Sequence, residues 1–151
     1  MEQTRNILLG FVAAVMAYLS PIKDGLEVIS IIFILNFFFG LIAGVQKGES
    51  FDFRKAFHCV KNATLFFVLA ASTYVVGKMI GNEEGARQCV NYFVYMIVYI
   101  YGVNILKNAT EISGENSPAY SILKYIHEIL SLEISRRFKN YNDISNDKYK
   151  K

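Results

Sequence analysis

Residues Ile34–Gly48 read ILNFFFGLIAGVQKG, and this stretch decides the fold. It lies in an uncharged run from Val28 to Val45 that shows no alternation of apolar and polar residues, so a half-buried strand does not fit. In lipid a helix satisfies all its own backbone groups, and a greasy run of this length is read as a membrane span. Asn36, Gly40 and Gly44 recur every four residues and share one helical face. Apolar area alone does not bring helices together in a bilayer; close backbone approach and side-chain hydrogen bonds do, an amide contributing about 0.6–2 kcal/mol. The stripe is therefore expected to pack helices, either within one chain or between copies in a homo-oligomer.

Three more apolar runs flank it. Asn6–Ile22 lies between Arg5 and Lys23, Asn62–Gly77 between Lys61 and Lys78, and Gln88–Leu106 between Arg87 and Lys107. About 17 residues suffice for a span, and flanking lysines can snorkel to the interface. The expected fold is all-α: an integral membrane domain over residues 1–114 with about four (three to four) transmembrane helices, near 6–22, 26–46, 61–80 and 88–107. The first is the weakest, because Pro21 disfavours helix at Ser20. Small residues in AAVMA allow a signal-peptide reading, but Glu2 offsets Arg5, and a retained first helix is expected.

Composition agrees. The 151 residues are 53% hydrophobic and 19% charged, against about 25% charge in soluble domains. The net charge of +3 comes without a basic stripe or nucleic-acid motif, so no nucleic-acid partner is expected. Lys47, Arg54, Lys55 and Lys61 share the middle connection, and the tail beyond Lys107 is also basic. The positive-inside rule then puts that connection and both termini in the cytoplasm, with the chain a multi-pass membrane protein.

The middle connection mixes Phe51, Phe53, Phe57 and Val60 with these charges, so a short interfacial helix is expected; His58 within it is read as a solvated side chain. After the last span, Gly114 suits a helix stop, Ser117 an N-cap and Pro118 a first-turn position. Ile122, Leu123, Ile126, Ile129, Leu130 and Ile134 then recur at helical spacing, giving an amphipathic cytoplasmic helix over 117–138 closed by Arg136 and Arg137. It is expected to lie on the inner leaflet or to pair with copies of itself. From Lys139 a polar, fraying tail (139–151) follows.

The fourth run, NYFVYMIVYIYGVN, is rich in tyrosine. Buried hydroxyls in a span need partners, so Tyr95 and Tyr99, with Asn104 and Asn108 further on, are candidates for a polar lining; bonding within a helix bundle is the plainer account. No span holds a deep charge or histidine, and no nucleophile motif, metal triad or phosphate loop appears, so neither catalysis nor a cofactor nor a metal is expected. Cys59 and Cys89 have no metal spacing and are read as free thiols.

Several short pieces resemble a known family. YLSPIK (18–23) is similar to an LxPIK segment, LNFFFGLIAGVQKGE (35–49) to LDFxxGxxAxxxxGE, and YGVNILKNATEISG (101–114) to ExxSIxENxxxxxG. All three occur, in this order, in the phage holins of Bacteroidetes prophages, related to the toxin secretion/phage lysis holins. The likeness covers about Tyr18 to Gly114, with FRKAFHCVKN leading to the third span. Asn36 stands where that group has Asp, Tyr101 where it has Glu, Asn104 where it has Ser and Lys107 where it has Glu, while Asn108 matches. The resemblance implies a protein that oligomerises in the inner membrane and opens lesions through which endolysin or another cargo protein leaves. The alternative is a non-lytic scaffold whose amphipathic helix recruits a cytoplasmic partner.

Overall fold

The computed structural model describes residues 2–50 and 52–148, with the side chains at 55, 134 and 137–148 left outside the description. It is all-helical. Helix α1 (Glu2–Leu19) meets a tight 3-10 turn (Ser20–Ile22) and passes into α2 (Lys23–Gln46); α3 (Phe53–Met79), α4 (Glu83–Ser113) and α5 (Pro118–Lys148) follow. Three stretches are long and apolar enough to cross a membrane: Glu2–Gln46, Ala56–Met79 and Glu83–Ser113. The first is 45 residues. At about 1.5 Å per residue that is more than twice the roughly 30 Å hydrocarbon core. It holds both of the first two expected spans.

The chain divides into two compact units, Met1–Ile34 with Asp52–Tyr99, and Leu35–Phe51 with Ile100–Lys151. In the first, α1 runs parallel to α3. Its residues from Phe11 to Leu19 share an apolar groove with Val68 to Val76, and the Tyr18 and Tyr74 rings meet edge-on at 6.2 Å. The first part of α2 runs the other way: Gly25 lies against Val90 and Val94, whereas Phe33 reaches Phe66, their rings 5.9 Å apart, and its carbonyl accepts from the Cys59 thiol at 3.8 Å. The chain thus reverses at Ser20–Ile22, where Pro21 occupies a first-turn position that asks nothing of its missing N–H. The core of this unit is Ile22, Ile29, Phe33, Ala70, Tyr74, Ala86, Val90, Val94 and Ile97. Phe66 also touches Phe93, at 5.6 Å, so α2, α3 and α4 share one aromatic row. No residue of α1 is buried.

The middle connection is shorter than expected. Among the described residues no separate interfacial helix forms; Phe53 to Val60 are the first turns of α3 itself. Asp52 caps that helix, its carboxylate accepting from the Arg54 N–H at 2.8 Å, and no Gly or Pro interrupts the helix before Gly77.

Glycine closes α2 and α3 in the same way. Gly48 and Gly81 have φ of 77° and 78°, left-handed values that cost other residues 1–2 kcal/mol or so. In each case the next N–H reaches back five residues, Glu49 to the Gly44 carbonyl (3.0 Å) and Asn82 to the Gly77 carbonyl (2.8 Å). Asn82 then caps α4 by accepting from the Gly85 N–H at 3.1 Å. Gly114 and Ser117 separate α4 from α5 as the sequence suggests, and the Ser117 hydroxyl accepts from the Ala119 N–H at 3.2 Å. Helix α5 runs on to Lys148, beyond Phe138 where its apolar pattern stops, because extending an existing helix costs far less than starting one. Of the expected tail, residues 149–151 lie outside the described residues.

Hydroxyls within the apolar helices need partners, and the backbone supplies them. Ser30, Thr64, Thr73, Thr110 and Ser113 each donate to the carbonyl four residues earlier, at 2.8–3.0 Å.

Candidate functional site

The polar residues of α2 and α4 meet in the second unit. Asn36 Oδ1 accepts from Asn104 Nδ2 at 2.6 Å. One turn on, Asn108 lies beside α2 at Gly40: a Cβ added there would meet Asn108 Nδ2 at 3.5 Å, an ordinary van der Waals distance. Ala43 and Val103 are buried here. Past them Gln46 Nε2 approaches the Ile112 carbonyl at 3.5 Å, and Lys47 Nζ pairs with the Glu111 carboxylate at 2.9 Å. The result is a parallel seam, amide to amide inside the span and charge to charge at its end. From Glu111 to Asn104 is seven residues along α4, so the amide pair lies roughly 10 Å beneath the ion pair.

Gly44 does not join the seam. The cap at Gly48 folds the chain back, and the Glu49 side chain covers Gly44, with Oε2 3.6 Å from the position of an added Cβ. Two of the three stripe residues, Asn36 and Gly40, therefore pack α2 on α4 of the same chain, and the third serves its own helix end. Asn104 is exposed, and beyond its bond to Asn36 its amide has no partner among the described residues. In hydrocarbon such an amide favours a second donor or acceptor from another chain, a lipid headgroup or water.

The remaining candidates are dispersed. Tyr95 is 70% exposed and Tyr99 half-buried. At 3.6 residues per turn the nine-residue step from Tyr95 to Asn104 is two and a half turns. The tyrosine pair and the asparagine pair therefore belong to opposite helical faces, and no single face carries all four. Lys47 is held by Glu111, whereas Arg54 and Lys61 are exposed on the first turns of α3, and the Lys55 side chain lies outside the described residues.

Two features escape the sequence reading. The first is the α3–α4 hairpin: a Cβ at Gly77 would overlap the Ala86 Cβ and lie 3.3 Å from both Ala86 Cα and the Asn82 carbonyl. Its signal is Gly77, a glycine inside α3 just ahead of the turn GNE at 81–83. The second is a polar cluster at that end of the first unit. The buried Tyr74 hydroxyl donates to Glu83 Oε1 at 2.8 Å, and Lys78 Nζ lies 3.9 Å from Glu83 Oε2 and 4.5 Å over the Tyr18 ring. Nothing in the separate runs announces it, since its members come from three helices. Cys59 and Cys89 are free thiols, and among the described residues no group of His, Cys, Asp and Glu could hold a metal.

Comparison with known proteins returned no match among curated proteins and none among solved structures. A comparison with protein families matched residues 13–130 to the bacteriophage holin family. That range contains α2, α3 and α4 whole, the end of α1 and the beginning of α5. With most of its length matched, and with helices built to cross a membrane, the chain belongs to the bacteriophage holin family.

Proposed function

We propose that this membrane protein self-associates in the bacterial inner membrane and opens lesions through which endolysin or another cargo protein passes. The single observation that carries this reading is the family match, which runs through three complete apolar helices. The exposed Asn104 amide supports it, because an amide held on one side only within a span favours a second chain. The broad apolar surface of α1 supports it too: Ile7, Leu8, Leu9, Phe11 and Met16 are all well exposed among the described residues, a face suited to lipid or another copy. The termini and the turn at Lys47 are assigned to the cytoplasm by the lysines and arginines around them.

Expression from a tight inducible promoter in a bacterium tests the reading. Membrane potential, followed with a voltage-sensitive dye, should hold while protein accumulates and then collapse, and a co-expressed cytoplasmic endolysin should lyse the cells only after the collapse. Potential that persists in cells whose membranes contain abundant full-length protein would reject it.

A further inference from the structure

The first part of α5 carries an apolar stripe that nothing among the described residues covers. Ile122, Tyr125, Ile126, Ile129 and Leu132 are between 39% and 67% exposed. At about 100° per residue they occupy one arc, while Lys124, Ser121, Glu128 and Ser135, all exposed, hold the other side. Leu123 and Leu130, at the edge of the arc, are half-buried, so α5 already rests on protein along one flank. Glu133 and Arg136 bring charge back to the arc after Leu132, so the apolar length is about three turns.

The chain's own connectivity says what faces this stripe. Helix α4 ends at Ser113, and only residues 114–117 lie between it and α5. Even fully extended, four residues reach no further than about 14 Å. Lys107 is the first charge after the uncharged run of α4, and Glu111 is paired with Lys47, so the last turns of α4 are where the span meets the polar surface. A helix begun that close to a bilayer has the bilayer as its nearest apolar phase. The residue types fit an interface: a tyrosine within the stripe, with Lys124 and Arg136 beside and beyond it.

We propose that α5 lies along the surface of the same bilayer, with Ile122, Tyr125, Ile126, Ile129 and Leu132 dipping below the phospholipid headgroups. This rests on the chain being inserted in a membrane and not on lesion formation. Such a helix sits with its apolar face about 5–10 Å into the headgroup and acyl boundary.

The chain contains no tryptophan, so one introduced residue is an unambiguous reporter. Full-length Ile129→Trp and Lys124→Trp would be reconstituted in mixed phosphatidylcholine and phosphatidylglycerol vesicles, with and without bromine on the upper acyl carbons. Tyr125→Trp, a mild change on the same stripe, guards against a substitution that disturbs folding. The expected result is blue-shifted emission from the reporters at 129 and 125 that bromolipid quenches, with water-like, unquenched emission from the reporter at 124. Water-like emission at both 129 and 125 overturns the proposal. So does a blue shift that bromolipid leaves unquenched, which assigns the stripe to a protein surface, whether a second copy or a cytoplasmic partner. Equal bromolipid quenching at 124 and 129 also overturns it, because the helix is then immersed instead of lying on the surface.

Discussion

The Gly77–Ala86 contact makes the sharpest demand on the structure, and Gly77→Ala is the perturbation that measures it. In a span a Gly-to-Ala change ordinarily favours the helix, by up to about 1 kcal/mol. Here the new Cβ would overlap the Ala86 Cβ, and behind that lie the Ala86 Cα and the Asn82 carbonyl at 3.3 Å, both backbone atoms with no rotamer to change. The helices must part, and overpacking of this kind costs about 1–3 kcal/mol. The loss should exceed the propensity gain, leaving a net destabilisation of about 1–2 kcal/mol. The assay is equilibrium unfolding in mixed micelles of rising sodium dodecyl sulfate fraction, followed by circular dichroism. Ala86→Gly removes the atom in the way, so the double variant should recover much of what the two single changes lose, a coupling of about 1 kcal/mol or more. A Gly77→Ala protein as stable as the parent, or a double variant that is simply additive, would refute the close approach of α3 and α4.

Three further outcomes follow from the same structure. Replacing Asn36 or Asn104 with Leu should cost about 0.6–2 kcal/mol, with the double change costing little more than either alone, because each removes the same bond; a fully additive pair in the same micelle titration would count against the seam. Tyr74→Phe leaves Glu83 short of one donor at the hairpin end and should lower stability by about 1–2 kcal/mol, whereas Tyr95→Phe, on an exposed position, should be neutral; equal effects would argue against the cluster. Lys47→Ala should cost less than about 1 kcal/mol, and the difference should shrink further as salt is raised, since the Lys47 side chain is half exposed; a large, salt-independent loss would mean that the pair is far less solvated.

How much was legible in the chain depended on the solvent it was written for. In water the inside of a protein is marked by apolar residues and the outside by polar ones, so periodicity reveals which face is which. In hydrocarbon both faces are apolar, and that contrast vanishes. The span-forming runs were plain from charge alone, and so were the stops at Gly114 and Ser117, whose reasons are local. The phenylalanines were not: Phe33, Phe66 and Phe93 form a row across three helices, while Phe38, five residues after Phe33 on the same helix, is exposed, and no feature of composition tells them apart. What survives in lipid is the information in small and polar residues, because only these change how near two backbones come or whether a buried group is bonded. Asn36 and Gly40 were readable for that reason, and Gly77 carried a signal of the same kind unread.

Even that signal names a face without naming its partner. Gly44 continues the Asn36–Gly40 spacing yet lies under its own cap at Glu49, a consequence of Gly48 turning the chain back. The seam on α4 is also only half closed, with Asn104 bonded to Asn36 and exposed beyond it. If copies associate, the seam need not open: a second chain can reach Asn104 from outside while Asn36 still holds it from within. Self-association through a bifurcated amide of this kind would weaken on Asn104→Leu more than on Asn36→Leu, although the two changes cost the isolated fold alike. Crosslinking yield measured beside monomer stability separates those effects, and equal loss of crosslinking in both variants would place the contact between copies somewhere other than Asn104.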